Sequence, residues 1–210
     1  MLALGGTRRN PFQKQDGSGE SLGIDLDVTN LKMNLDMGTY SLFSFTSIVE
    51  SKTLQDRDVG AYFGPLLEVD DIPLYLTDSA VAKQFTQELR VNTDLDGPLQ
   101  FLLGAFYQDH KRTRRQEIQF EGTSALDPFE GALLFDGLAV ENLKQLAFFG
   151  EASFDLTDQL TAVAGVRHYD YDKDSPGADD GVFNGGSSAY FVETNDSGQT
   201  YKLSLNYRAD

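Results

Sequence analysis

Cysteine is absent from this 210-residue chain. Without thiols there is no disulfide framework and no thiolate metal site, although many exported β-proteins also lack disulfides, so the compartment stays open. Tryptophan is absent as well, and proline occurs six times. Positive charge is scarce: 17 Lys and Arg stand against 33 Asp and Glu, a formal charge of −16. So acidic a chain repels a phosphate backbone, which argues against nucleic-acid binding. Nor does any apolar run approach the roughly 18 residues of a membrane-crossing helix, so a membrane role would require a barrel.

Catalytic motifs are lacking too. There is no Gly-x-Ser-x-Gly elbow, no phosphate loop and no His-Glu-x-x-His. His110 and His168 are far apart, with no partner one helical turn away. Asp170, Asp172 and Asp174 have the one-three-five spacing of a calcium loop, but Ser175 replaces its glycine and Gly181 its bidentate glutamate. The expectation is a protein that is not an enzyme and holds no metal or cofactor. Met1 to Arg9 lacks the cationic start and apolar centre of a secretory signal, so an exported protein would begin upstream.

What is present points to β-structure. The chain has 15 Phe, 9 Tyr and 20 Gly, and is long enough for one or two domains with a sizeable core. From Phe85 to Asn92, Phe85, Leu89 and Val91 fall on one side and Thr86, Glu88, Arg90 and Asn92 on the other, a period of two. Asp94-Leu95-Asp96-Gly97-Pro98 breaks the run with turn-forming residues. The following arm places Leu99, Phe101, Leu103, Ala105 and Tyr107 on one face. These arms make a hairpin with one apolar and one mixed face.

The unit recurs. Leu146, Phe148, Gly150, Ala152 and Phe154 alternate with Ala147, Phe149, Glu151 and Ser153; after a short turn, Leu160, Ala162, Ala164 and Val166 oppose Thr161, Gly165, Arg167 and Tyr169. Tyr201, Leu203, Leu205 and Tyr207 make the last strand, and Tyr40 to Val49 an earlier one. Before that, Ile24, Leu26 and Val28 lie in one frame and Leu31, Met33 and Leu35 in the other, which suggests a bulge or break near Asn30. Residues 1–22 read as a loop or frayed end, and 23–210 as the strand-bearing domain.

Short turns near 37, 96, 157 and 209 lie about 50 to 60 residues apart, separated by connections of roughly 30 at Glu50–Ala82, His110–Lys144 and Asp170–Gln199. Strands of ~10 residues, brief turns at one end and long loops at the other describe an all-β fold, an antiparallel up-and-down transmembrane β-barrel fragment of about seven strands. A soluble sandwich or propeller binding carbohydrate through aromatic loops shares the alternation, and an outer-membrane barrel enzyme would share the topology.

Phe85-Thr86-Gln87-Glu88-Leu89-Arg90-Val91, then Gly97 and Phe101 to Tyr107, resembles the barrel of TonB-dependent outer-membrane receptors. Ala147 to Asp158 with Leu160 to Tyr169, and Lys202 to Tyr207, resemble the strands that follow. The resemblance implies part of a large plugged barrel in the Gram-negative outer membrane, importing a scarce nutrient such as a ferric siderophore. It implies as partners membrane lipid and lipopolysaccharide, a small anionic metal chelate, and the TonB complex acting through a plug domain. No plug, energy-coupling motif or terminal strand is legible in these residues, and seven strands are too few to enclose a plugged lumen.

In a barrel the mixed face looks into the lumen, so Glu88, Arg90, Glu151, Arg167, Lys202 and Arg208 are expected to line it. In His110-Lys111-Arg112-Thr113-Arg114-Arg115, extended geometry sends His110, Arg112 and Arg114 inward and Lys111, Thr113 and Arg115 outward. Inward arginines suit an anionic ligand and outward cations suit lipopolysaccharide phosphates. For both groups the competing account is plain solvation of an aqueous wall or loop base.

Overall fold

The computed structural model describes residues 20–63, 74–120 and 133–209. It is a single antiparallel sheet of seven strands in sequence order: β1 (Ser21–Asp36), β2 (Tyr40–Asp58), β3 (Leu74–Thr93), β4 (Leu99–Phe120), β5 (Phe135–Thr157), β6 (Leu160–Asp180) and β7 (Ser188–Tyr207). A four-residue helix, α1 (Gly60–Phe63), follows β2, and a 3-10 turn (Val182–Asn184) lies between β6 and β7. Among the described residues no second sheet packs on the first, which removes the sandwich and propeller alternatives.

One end carries tight turns built by local chemistry. At the first, Gly38 takes φ +85°, its amide donates to Asp36 Oδ1 at 2.9 Å, and the Met37 amide donates to the Tyr40 carbonyl at 3.0 Å. At the second, the Gln100 carboxamide accepts from the Leu95 amide and donates to the Leu95 carbonyl, both at 2.9 Å. At the third, Thr157 Oγ1 accepts from the Leu160 amide at 3.0 Å, beside a register shift between Asp155 and Thr157.

The strands run 16 to 23 residues, about twice the expected length. The connections expected at Glu50–Ala82, His110–Lys144 and Asp170–Gln199 are therefore corrected: most of each is strand, and the last shrinks to the short segment between Asp180 and Ser188. The reason is environmental. Beyond the apolar band the outer face is no longer held apolar, as Asp25, Asp27 and Lys83 show, so the regular alternation fades while the backbone ladder continues. The bulge expected near Asn30 is also corrected, since β1 pairs with β2 without a register break from Ser21 opposite Asp56 to Asp36 opposite Ser41. The apolar residues change face at Asn30 because the outer surroundings change there: Leu31, Met33 and Leu35 face out below it, Asp25 and Asp27 above. Residues 1–19, most of the segment expected as a loop or frayed end, lie outside the described residues.

Directly paired residues share a face, so the register assigns every side chain. The outer face holds Leu89, Leu103, Phe148, Val166 and Leu203, and these are open, Leu103 at 63% and Leu203 at 86% exposure. On the opposite, concave face Thr86 and Ala147 are buried. Outward apolar positions run from Leu99 to Tyr107 on β4 and from Phe154 back to Leu146 on β5, nine residues each. That is the span of a tilted strand across a hydrocarbon layer, roughly 9 to 11 residues.

A compact apolar cluster sits at the other end, on the concave side. Leu74 and Leu134 are wholly buried there with Val59 and Ile118, and Phe63, Leu76, Phe135 and Phe183 pack around them. Phe63 at the end of α1 stacks on Phe183 of the 3-10 turn, with ring centroids 4.9 Å apart and planes 12° from parallel. Backbone bonds from Val182 to Leu133 and from Phe183 to Leu134 anchor this knot to the segment entering β5.

Candidate functional site

The concave face collects charge because it has no contact with the apolar band. All six of the expected residues Glu88, Arg90, Arg112, Arg114, Glu151 and Arg167 lie on it, as pairing shows: Glu88 is opposite Phe106, Arg90 opposite Gly104, Arg112 opposite Glu141 and Arg167 opposite Phe149. Lys202 shares the face, and Arg208 lies just past β7, its amide bonded to the Gln159 carbonyl at 2.9 Å. The face divides into a lower part level with the apolar band and an upper part beyond it.

In the lower part the cations are held by rings and carboxylates. Arg90 pairs with Glu88, and its guanidinium lies 5.4 Å from the Phe43 ring, which Lys32 approaches to 5.5 Å. Arg167 lies 5.2 Å from the Phe106 ring and 5.9 Å from that of Phe149. Glycine makes room for these rings: a Cβ on Gly104 would fall 2.2 Å from Phe149 Cζ. Further on, Lys202 Nζ meets Glu151 Oε2 at 2.9 Å, reaching across Gly165.

In the upper part Arg114 makes a two-point bond to Asp78, with Nε to Oδ1 at 2.9 Å and Nη2 to Oδ2. Gln116 donates to the same carboxylate at 3.1 Å and Arg57 approaches to 3.9 Å. The Arg114 hydrogen bond chiefly holds the Asp78 carboxyl below its ordinary value, burial opposing. One row lower, Lys173 Nζ lies 2.6 Å from Glu141 Oε2, and this bond lowers the Glu141 carboxyl. His110 Nε2 is 3.9 Å from Glu141, and its buried Nδ1 has no partner among the described residues. Arg112 makes no hydrogen bond or ion pair with the described residues; it acts on Glu141 only through its field.

Arg112 and Arg114 are therefore not equivalent. Arg114 is neutralised by Asp78, whereas Arg112 forms no hydrogen bond or ion pair among the described residues and faces the concave space beside Glu141. Sequence reasoning found the arginines but missed Asp78, Arg57, Glu141 and Lys173, which lay in presumed loops. The missing signal was register: extending the Phe85–Tyr107 hairpin without a break sets Asp78 opposite Gln116, one inward position beyond Arg114. Asp170, Asp172 and Asp174 lie on one face of an extended strand, where they cannot wrap an ion, and no group of three or more metal-binding side chains occurs among the described residues. His168 faces outward opposite Phe148 and His110 inward, so the two histidines share no site.

A single curved sheet with an apolar outer band, a charged concave face, tight turns at one end and a folded loop cluster at the other is a section of a transmembrane β-barrel wall. The profile of the family described as TonB dependent receptor-like, beta-barrel matches residues 3–210, and the chain belongs to that family. Among solved structures, the chain is similar to the ferric yersiniabactin uptake receptor FyuA from Yersinia pestis, with TM-score 0.71 at 14% sequence identity. The match covers 91% of this chain and 27% of that receptor, so the chain spans about a quarter of its neighbour's length. No curated protein sequence matches. The family is described as receptor-like, and this neighbour is an uptake receptor.

Proposed function

We propose that this chain forms part of the wall of an outer-membrane TonB-dependent receptor that imports a scarce nutrient, in the class of small anionic metal chelates such as ferric siderophores. The observation that carries the proposal is the division of the two sheet faces. Leucine, phenylalanine and valine lie open on the outside with no second layer over them among the described residues, while ion pairs and Arg112 line the inside. Such a sheet is stable only with hydrocarbon on one side and an aqueous enclosure on the other.

In this proposal residues 23–210 are barrel, a separate plug domain occupies the lumen, and the TonB complex acts on that plug. Arg112 is the ligand-facing cation; Arg114, Glu88, Arg90, Glu151 and Arg167 shape the wall around it. The test uses the full-length receptor in a Gram-negative host. It is expected in the outer-membrane fraction with heat-modifiable migration, and Arg112→Glu is expected to cut uptake of an anionic ferric chelate on the order of tenfold. Recovery in the soluble fraction overturns the membrane assignment; unchanged uptake overturns the role of Arg112.

A further inference from the structure

Above the apolar band β1 carries its side chains with inverted polarity. Beyond Asn30 its outward residues include Asp25 and Asp27, whereas Leu22, Ile24, Leu26 and Val28 point to the concave face. All four are open there, from 52% exposure at Val28 to 63% at Ile24. A strand added at the free edge of β1 would pair with its backbone and leave both faces as they are, so closing the barrel does not cover this stripe. A run of aliphatic side chains on the watery side of the wall calls for something apolar to lie on it.

The residues beside the stripe define its occupant. At the height of Leu26 the inward positions from β1 to β4 are Leu26, Ser51, Ala82 and Arg112; one row up they are Ile24, Thr53, Ala80 and Arg114. Only the short side chains of Ser51 and Ala82 stand between Leu26 and Arg112, so a shallow trough joins them. Three strand spacings of about 4.8 Å put roughly 14 Å between the two, and the stripe from Leu22 to Val28 is roughly 20 Å long. Arg114 is already bonded to Asp78, and Glu141 beside Arg112 is bonded to Lys173. Arg112 itself has no hydrogen bond or ion pair among the described residues. The trough therefore has one cationic end and one apolar end, and its complement is a molecule with an anion at one end and hydrocarbon at the other.

We propose that the ligand of this receptor is an amphiphilic anionic metal chelate, whose anionic head lies on Arg112 and whose aliphatic tail crosses Ser51 and Ala82 onto Leu22, Ile24, Leu26 and Val28. This rests on the reading of Arg112 as the ligand-facing cation. It goes beyond that reading by fixing the chemical class of the ligand and the strand that selects it.

The test uses the full-length receptor in phosphatidylcholine nanodiscs and two ferric tricatecholates that differ only in a dodecanoyl tail. Binding is counted as labelled iron displaced by excess tailless chelate, which removes partitioning into the lipid from the count. Each methylene withdrawn from water is worth roughly fourfold in affinity, so wild type is expected to bind the tailed chelate at least about tenfold more tightly. Ile24→Thr/Leu26→Thr is expected to abolish that preference without changing the affinity for the tailless chelate, and Ile24→Val/Leu26→Val to keep most of it. A tail ending in a photoreactive diazirine is expected to label Leu22–Val28 in wild type, a measurement that needs no variant to fold. Equal affinity of wild type for the two chelates, a preference that survives Ile24→Thr/Leu26→Thr, or labelling confined to other strands or to a plug overturns the proposal. Arg112→Glu separates the two readings. Weaker binding of the tailless chelate by this variant leaves the role of Arg112 standing even if the tail site falls, whereas unchanged binding overturns both.

Discussion

Glu151 on β5 and Lys202 on β7 are two strands apart, yet their charged groups meet at 2.9 Å because Gly165 between them has no side chain. A Cβ on Gly165 would lie 2.8 Å from Glu151 Cγ and 3.2 Å from the Gly150 carbonyl oxygen. The pair is half-exposed, so Glu151→Gln alone is expected to cost at most about 1 kcal/mol. Gly165→Val displaces the side chain and crowds the backbone as well. It is expected to lower the temperature of heat-modified migration of the full-length receptor more than Glu151→Gln does; an equal or smaller shift would show that the glycine is not needed for the crossing.

Gly104 and Phe149 make a second such crossing, and it carries Arg167. Gly104→Ala places a methyl group inside the Phe149 ring position, which tilts the ring away from the guanidinium it supports. A loss of about 1 to 3 kcal/mol is expected for this overpacking. Phe149→Leu in the same molecule is expected to recover most of it. Additive losses in thermal unfolding would mean that the two positions do not compete for space.

These crossings show what a single sequence discloses and what it hides. Inside the apolar band, alternation marked both faces, so the lumenal placement of Glu88, Arg90, Glu151 and Arg167 was legible. Above the band, Asp174 faces outward opposite Asn142 and Glu193, while Lys173 points inward to Glu141, and with charges on both sides of these strands no apolar period survives. Strands there read as loops. The partners were hidden for the same reason: Arg114 and Asp78 are 36 residues apart and meet only through a register set by the distant Asp94–Pro98 turn. The switch of face at Asn30 was visible, but the pattern ascribes it to a bulge where the cause is the edge of the lipid.

The Arg114–Asp78 bond, which lies above the band, makes acid sensitivity predictable. The Asp78 carboxyl is held below its ordinary value of 3.8, first by the Arg114 hydrogen bond. A group whose folded value is depressed contributes stability that is whole above its unfolded value and vanishes as pH falls through the folded one. The difference in stability between wild type and Asp78→Asn is therefore expected to be constant above about pH 5 and to shrink below 3.8. Melting temperatures of the two receptors across that range check this, and parallel curves down to the acid limit would show that the carboxylate titrates as it does in the unfolded chain.

At the opposite end from the tight turns, Phe63 and Phe183 belong to connections separated by four strands of the sheet, and their stacking means that the connections are tied over the concave face. The tie has a true core, since Leu74 and Leu134 are wholly buried beneath it. Leu134→Ala is expected to cost about 2 to 5 kcal/mol of local stability and to speed protease cleavage at this end of the intact receptor while leaving the membrane-embedded strands protected. Phe63→Ala and Phe183→Ala are each expected to have a similar, smaller effect. Because each ring packs on the other, the double variant is expected to fall short of their sum by about 0.5 to 1.5 kcal/mol. If the two losses simply add, the rings contribute independently, and the connections are held by the backbone bonds from Val182 and Phe183 to Leu133 and Leu134 instead.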